Sequence, residues 1–181
     1  MSNLPNEETS CPDPATVEAP KPMGILQRRK IEAAIIAPIY DELRQRLGEA
    51  EAQAIIDAAV SKAAMRAARE FADATEEGTS LLTFQALQSL WTQDDALEIE
   101  VVRADDKVFD YNVLRCRYAE TYREMGLGHI GHLLSCNRDA VFCKGYDARI
   151  KMSRTQTIMQ GATHCDFDYT YDKDGEKGGK A

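Results

Sequence analysis

Long apolar runs are missing from this 181-residue chain. Nothing approaches the ~20 consecutive apolar residues that cross a bilayer, and no charged start followed by an apolar stretch marks a secretory leader. A soluble, cytoplasmic protein is the expectation. Basic residues are in the minority, 22 Lys and Arg against 30 Asp and Glu, for a formal charge of −8. That field repels nucleic acid and anionic membrane surfaces, and no local basic patch offsets it. Cysteine is sparse and odd in number, with five residues and no Cys-x-x-Cys pair. This argues against a disulfide framework and leaves thiols that are buried, catalytic or metal-bound. Proline is nearly confined to one place, five of the six lying before residue 23.

The length suits a single domain. Residues 1–22, rich in proline and acidic side chains and poor in large apolar ones, read as a flexible arm. Residues 172–181 read as a disordered polar tail, leaving 23–171 as the folded unit. From Gly24 a helical period sets in, with Ile31, Ile35, Ile39, Leu43 and Leu47 at steps of four and Pro38 inside the pattern as a kink or a new first turn. A second helix is predicted over Glu49–Ala74, its stripe formed by Ala52, Ile56, Ala59, Ala63, Ala67 and Phe71, and a shorter one over Leu81–Trp91.

After Asp94-Asp95 the period becomes two. Leu97, Ile99 and Val101 alternate with Glu98 and Glu100, Asp105-Asp106 supplies a turn, and Phe109, Tyr111 and Val113 return as the second strand. A short helix follows over Arg117–Met125, ended by Gly126 and Gly128 and placing Cys116 and Glu120 four apart. His129, His132, Cys136, Asp139 and Cys143 then fall on one face of a helix predicted over His129–Lys144. A strand over Arg149–Met159 carries Arg154 and Gln156 in the same phase as Ile150, Met152 and Ile158. A last strand over Cys165–Tyr171 puts Cys165, Phe167 and Tyr169 on its apolar side. The class is α+β: N-terminal helices, then an antiparallel sheet of about four strands with two helices inserted between strands 2 and 3.

A buried guanidinium such as Arg154 requires an anion, either a protein carboxylate (Glu120 or Asp139) or that of a ligand. Four of the five cysteines and all three histidines lie between Arg115 and Tyr169, and that stretch holds whatever chemistry there is.

Four blocks in that stretch, Arg-Cys-Arg-Tyr-Ala-Glu at 115–120, Cys-Asn-Arg-Asp at 136–139, Arg-Thr-Gln-Thr-Ile-Met-Gln-Gly at 154–161 and Cys-Asp-Phe at 165–167, resemble the L-2-amino-thiazoline-4-carboxylate hydrolase family. The resemblance implies addition of water to the amidine carbon of a carboxylated thiazoline ring, opening it to carbamoyl-cysteine on a route to L-cysteine. Such a reaction needs a carboxylate anchor, an acidic group facing the amidine, and a base or a nucleophile. Arg154, with Arg117 in reserve and Tyr118 and Gln156 beside them, fills the first need. Asp139 and Glu120 fill the second and can act as base, with His132 as an alternative base. Cys136, one turn from His132, is the candidate nucleophile.

Two forks stay open at the level of sequence. Cys116, Cys136 and Cys165, with Glu120 or a histidine, can instead be gathered around zinc or another divalent metal, although no ligand spacing marks such a site, and the preferred reading has no cofactor. The whole domain can instead be a non-catalytic module for a small ligand or metal, of the 4-vinyl reductase type. In either case the partner is a small molecule, with a homo-oligomer possible.

Overall fold

The computed structural model describes residues 23–175. The arm expected over 1–22 and the end of the expected tail lie outside the described residues. The protein is α+β as its periodicities imply. Helices α1 (Ile25–Leu47) and α2 (Glu49–Asp73) come first, followed by the short α3 (Leu81–Ala86) and α4 (Gln88–Thr92). Strands β1 (Leu97–Ala104) and β2 (Val108–Cys116) form the first hairpin. Helix α5 (Arg117–Glu124), a π-helical turn (His132–Cys136) and α6 (Asn137–Tyr146) separate it from β3 (Ile150–Ser153) and β4 (Cys165–Tyr171). The sheet order is β1-β2-β4-β3, antiparallel throughout. No helix among the described residues is long and apolar enough to cross a membrane.

Local chemistry explains most of the boundaries. The two long helices meet at the single residue Gly48, whose φ of 86° favours a residue without a Cβ. Ser80 and Thr83 form a reciprocal capping box at the head of α3. At the first hairpin the Asp105 carboxylate accepts the backbone N–H groups of Lys107 and Val108, both at 2.8 Å. The Asp147 carboxylate, 4% exposed, is held at both oxygens by the Arg149 guanidinium, at 2.9 and 2.7 Å, and fixes the entry to β3.

The structure corrects three readings of the helices. The α1 stripe of Ile31, Ile35, Ile39 and Leu47 is exposed, while Ala33 and Tyr40 are buried, with Leu26, Ile36, Ala37 and Leu43 packed against the core. On α2 the buried set is Ala52, Ile56, Val60, Ala64 and Ala68. Strict steps of four advance about 40° per step around an α-helix, so the stripe walks from the core shared with α1 to the one under α6. Packing against two partners in turn produces that spiral, and a fixed-face reading misses it. The expected Leu81–Trp91 helix is broken between α3 and α4.

Strand β3 also stops at Ser153 instead of running to Met159. The backbone N–H groups of Thr155 and Gln156 are taken by the Asp166 carboxylate, at 3.1 and 2.9 Å, and leave the ladder. Thr157 caps the following turn (Ile158–Gln160), which Gly161 closes at φ 101°.

Two apolar clusters make the core. One joins α1, the first half of α2, α5 and the π-helical turn; the other joins the inner sheet face to α3, α6 and the end of α2. Leu97, Cys116 and Ile158 pack against both. Where α6 crosses α2 the backbones come close, because a Cβ at Gly145 would lie 2.8 Å from the Ala68 side chain and 3.0 Å from the Met65 carbonyl. Gly145→Val should therefore lower stability by about 1–3 kcal/mol through overpacking, read as a drop in midpoint in thermal or urea denaturation. An unchanged midpoint would mean that the two helices part freely.

Candidate active site

A cavity of about 100 Å³ opens at the seam between the two clusters. A dry engineered cavity of roughly 150 Å³ admits benzene, so this space is on the scale of a small ring or a few waters. Its apolar walls are largely aromatic: Phe84 and Trp91 from the short helices, Tyr111 from β2, Phe142 from α6, and Phe167 and Tyr169 from β4. Tyr111 stacks on Phe167 at 4.9 Å, and Phe167 on Tyr169 at 6.0 Å. Three charged residues also line it, Arg29 from α1 and Arg138 and Asp139 from α6, together with the thiols of Cys116 and Cys165.

Asp139 is the carboxylate of the cavity. Its side chain is 30% accessible, toward the space it lines, and its Oδ2 accepts from Arg154 Nη1 at 2.6 Å. Arg154 Nη2 donates to the Cys136 carbonyl at 3.1 Å, and the guanidinium lies over the Phe167 ring at 4.9 Å. Burial pushes the Asp139 carboxyl above the usual carboxylate range; Arg154 pulls it back without reversing the shift. Burial also opposes the charge on Arg154, but Asp139 more than restores it and the guanidinium stays ionised.

All four described thiols are held up. Burial and then Asp139 raise Cys136, and the same two causes raise Cys143. Burial raises Cys165, whose Sγ accepts the Ile158 N–H at 3.2 Å. Cys116, at the head of α5, is pushed up to about 11 by burial, with the backbone N–H groups of Ala119 and Tyr118 opposing the shift.

Of the residues singled out in the sequence, the fold brings Asp139, Cys116, Cys165 and Tyr118 to the cavity wall. Tyr118, 5% exposed, also donates to the Trp91 carbonyl at 3.4 Å. Arg154 stands behind Asp139 instead of in the cavity, because β3 ends before reaching it. The remaining candidates point elsewhere. Glu120 does not share a space with Cys116: it is exposed and chelated by Arg115 at 2.8 and 3.0 Å. Arg117 donates to the Asp94 carbonyl. The Gln156 amide donates to the His164 ring.

The expected helical face of His129, His132, Cys136, Asp139 and Cys143 is not formed, because the π-helical turn inserts a break in register before α6. His129 is exposed beside the Tyr40 ring, Cys143 is buried against the sheet, and neither His132 nor Cys136 lines the cavity. Arg29, Arg138 and Ser135 do line it, and sequence reasoning missed them. Arg138 sits inside the Cys-Asn-Arg-Asp block, which was the available signal, whereas Arg29 on α1 lies outside every block and carried none. Among the described residues, no group of three or more His, Cys, Asp or Glu is placed to hold a metal.

Over residues 28–169 the chain matches the family described as L-2-amino-thiazoline-4-carboxylic acid hydrolase. The chain belongs to that family. No curated protein matches this hydrolase-family chain in sequence. Among solved structures it is similar to the phenol-responsive sensory domain of the transcription activator PoxR, in a crystal structure with phenol. The identity is 14% and the TM-score 0.51, over 81% of this chain and 76% of that one. A trafficking protein particle complex subunit 3 from Naegleria fowleri, covalently bound to palmitic acid, superposes with a TM-score of 0.43 at 12% identity, over 80% of this chain and 97% of that one. At such identities the PoxR domain shares a fold with this hydrolase-family chain and no more.

The ion pair behind the cavity has a measurable consequence. Arg154→Ala should cost about 3 kcal/mol at pH 7, the low end for breaking a buried pair, because Asp139 borders the cavity and can take up a proton. The folded-state pKa of Asp139 is raised and rises further in the variant, whereas the unfolded carboxyl titrates near ~4. The deficit is therefore smallest below that value and grows as pH climbs through the folded pKa. Urea melts across pH check this, and a deficit independent of pH would separate Arg154 from Asp139.

A second test concerns the thiols. In a Cys11→Ser variant, leaving the four described cysteines, iodoacetamide labelling at pH 7 should run at less than about one-tenth the rate of free cysteine and still climb at pH 9. A plateau below pH 8 would reveal a stabilised thiolate.

Proposed function

We propose that this protein hydrolyses a small cyclic amidine, with L-2-amino-thiazoline-4-carboxylate as the reference substrate and carbamoyl-cysteine as the product. The observation that carries this reading is the Asp139 carboxylate set in the wall of an otherwise aromatic cavity and oriented from behind by Arg154. A carboxylate in that position faces the protonated amidine and attracts it, and with its pKa raised toward the working range it is a better base than an exposed aspartate.

The step this allows is addition of water. Asp139 takes a proton as the water oxygen bonds to the amidine carbon, and the neutral acid then returns that proton as the ring bond at the same carbon breaks. The proton on the added hydroxyl then passes to Asp139 and on to solvent as that oxygen becomes the carbamoyl carbonyl, so one water proton ends on the single released ring heteroatom and the other offsets the proton the amidinium brought in. The aromatic walls exclude bulk water and strengthen every charge interaction inside. Attack by Cys136 is the less favoured route, since its thiol is held protonated beside Asp139 and it does not line the cavity.

A second reading, a non-catalytic module holding a small ring, draws on the same cavity and on the fold shared with a phenol-responsive domain. Turnover separates the two. Purified protein incubated with L-2-amino-thiazoline-4-carboxylate should release carbamoyl-cysteine. Asp139→Asn should lower kcat by about 10²- to 10⁴-fold, while Cys136→Ala keeps activity within a few-fold. Absence of product from the wild type would leave the binding module, and an inactive Cys136→Ala that folds normally would return the nucleophile to that thiol.

A further inference from the structure

We propose that Arg29 and Arg138, on the α1 and α6 side of the cavity, form the seat for a carboxylate on the bound ring. The proposal rests on reading the cavity as a substrate site and assigns a role that the sequence had given to Arg154. Arg154 is engaged by Asp139 and the Cys136 carbonyl, and it is not part of the cavity wall. Arg29 and Arg138 do line it, and their side chains are only 16% and 12% exposed.

The two guanidiniums share a single carboxylate. Glu32 accepts from Arg29 Nη1 at 2.9 and 2.7 Å and from Arg138 Nη1 at 3.1 Å. Around the cavity, then, Arg29, Arg138 and Arg154 stand against Glu32 and Asp139, and one positive charge is left over. Burial lowers the pKa of Arg138, and the nearby Arg29 charge lowers it further. Two half-desolvated cations held close with one counter-ion between them favour a second anion, and a planar carboxylate is the shape that guanidinium forks receive on two points. Asp139, the next residue along α6, is then left to face a positive or polar group at the other end of the ring. A ligand with an anionic and an amidine-like end thus meets complementary charge at both, so its orientation in the cavity is set by residues 138 and 139.

The chain's single tryptophan, Trp91, lines this cavity and reports on its occupancy by fluorescence. The probes are two unreactive rings of nearly equal shape, thiazole-4-carboxylate and thiazole-4-carboxamide, titrated against the full chain. Wild-type protein should prefer the carboxylate by tenfold or more. Arg138→Gln and Arg29→Gln should each bring that preference to within about twofold while leaving carboxamide binding unchanged. Glu32→Gln, which removes the competing carboxylate, should widen the preference several-fold, and it serves where an arginine variant fails to fold.

Equal binding of the two probes by wild type, or a preference that survives both arginine replacements, overturns the seat. So does a preference that Glu32→Gln leaves unchanged. The hydrolase reading fails separately. A strong carboxylate preference in a protein that releases no carbamoyl-cysteine keeps the seat and removes the hydrolase, whereas turnover without any carboxylate preference does the reverse.

Discussion

The ion pair between Asp139 and Arg154 is the constraint around which the second half of the chain is arranged. A carboxylate placed in an aromatic wall is untenable without a cation within reach. The segment after β3 supplies one by leaving the sheet at Ser153, with Asp166 receiving the amides that the ladder loses. The same guanidinium covers the face of Phe167, one of three mutually packed rings with Tyr111 and Tyr169, and ties the start of α6 through the Cys136 carbonyl. One arginine thus fixes the carboxylate, the ring stack and the entry to α6 relative to one another.

The cavity exists because two cores meet without fusing. Cluster one is built on helices and small α2 side chains, cluster two on the sheet and its aromatics, and the residues packing against both, Leu97, Cys116 and Ile158, are too few to close the seam. Rigid rings on the sheet side cannot collapse into the space as aliphatic chains would, so the opening persists at a size suited to a small ring. Burial at this seam raises the pKa of Asp139 and by the same cause holds the thiols protonated. A site that favours a carboxylate base by desolvation disfavours a thiolate nucleophile by that same desolvation.

The legibility of this arrangement in the sequence followed the reach of each signal. Period-two alternation located β1, β2 and β4, and so brought Cys165, Phe167 and Tyr169 to one face correctly, since that pattern depends only on the strand itself. The conflict between Arg154 and its apolar neighbours announced that the guanidinium needs an anion, from the protein or from a ligand, and the fold supplies Asp139, one of the two protein carboxylates named, where a substrate carboxylate had been preferred. Some failed inferences needed an unbroken helix or strand, whereas the α1 stripe and the pairing of Cys116 with Glu120 failed on intact helices because the packing partner, not the period, chooses the buried face. The π-helical turn dissolved the face on which His132 and Cys136 were grouped with Asp139, and the Asp166 carboxylate ended β3 early. Arg29 was invisible because its role depends on α1 packing beside α6, a contact between residues more than a hundred positions apart that no local pattern encodes.

The charge of the whole and the charge of the site point in opposite directions. A formal charge of −8 slows the approach of anions to the surface, and its reach is about a Debye length, ~8 Å at physiological ionic strength. Inside the cavity that field is weak compared with guanidiniums at contact distance in a medium of low dielectric. On the proposed reading, a small zwitterionic ring, nearly neutral at long range, suffers little repulsion on approach and meets its carboxylate and amidine partners only once it is inside. A polyanion meets the full outer repulsion before it reaches the single surplus positive charge. On the proposed function, selectivity for a small, internally balanced ligand would follow from the distribution of charge before any contact between ring and wall is considered.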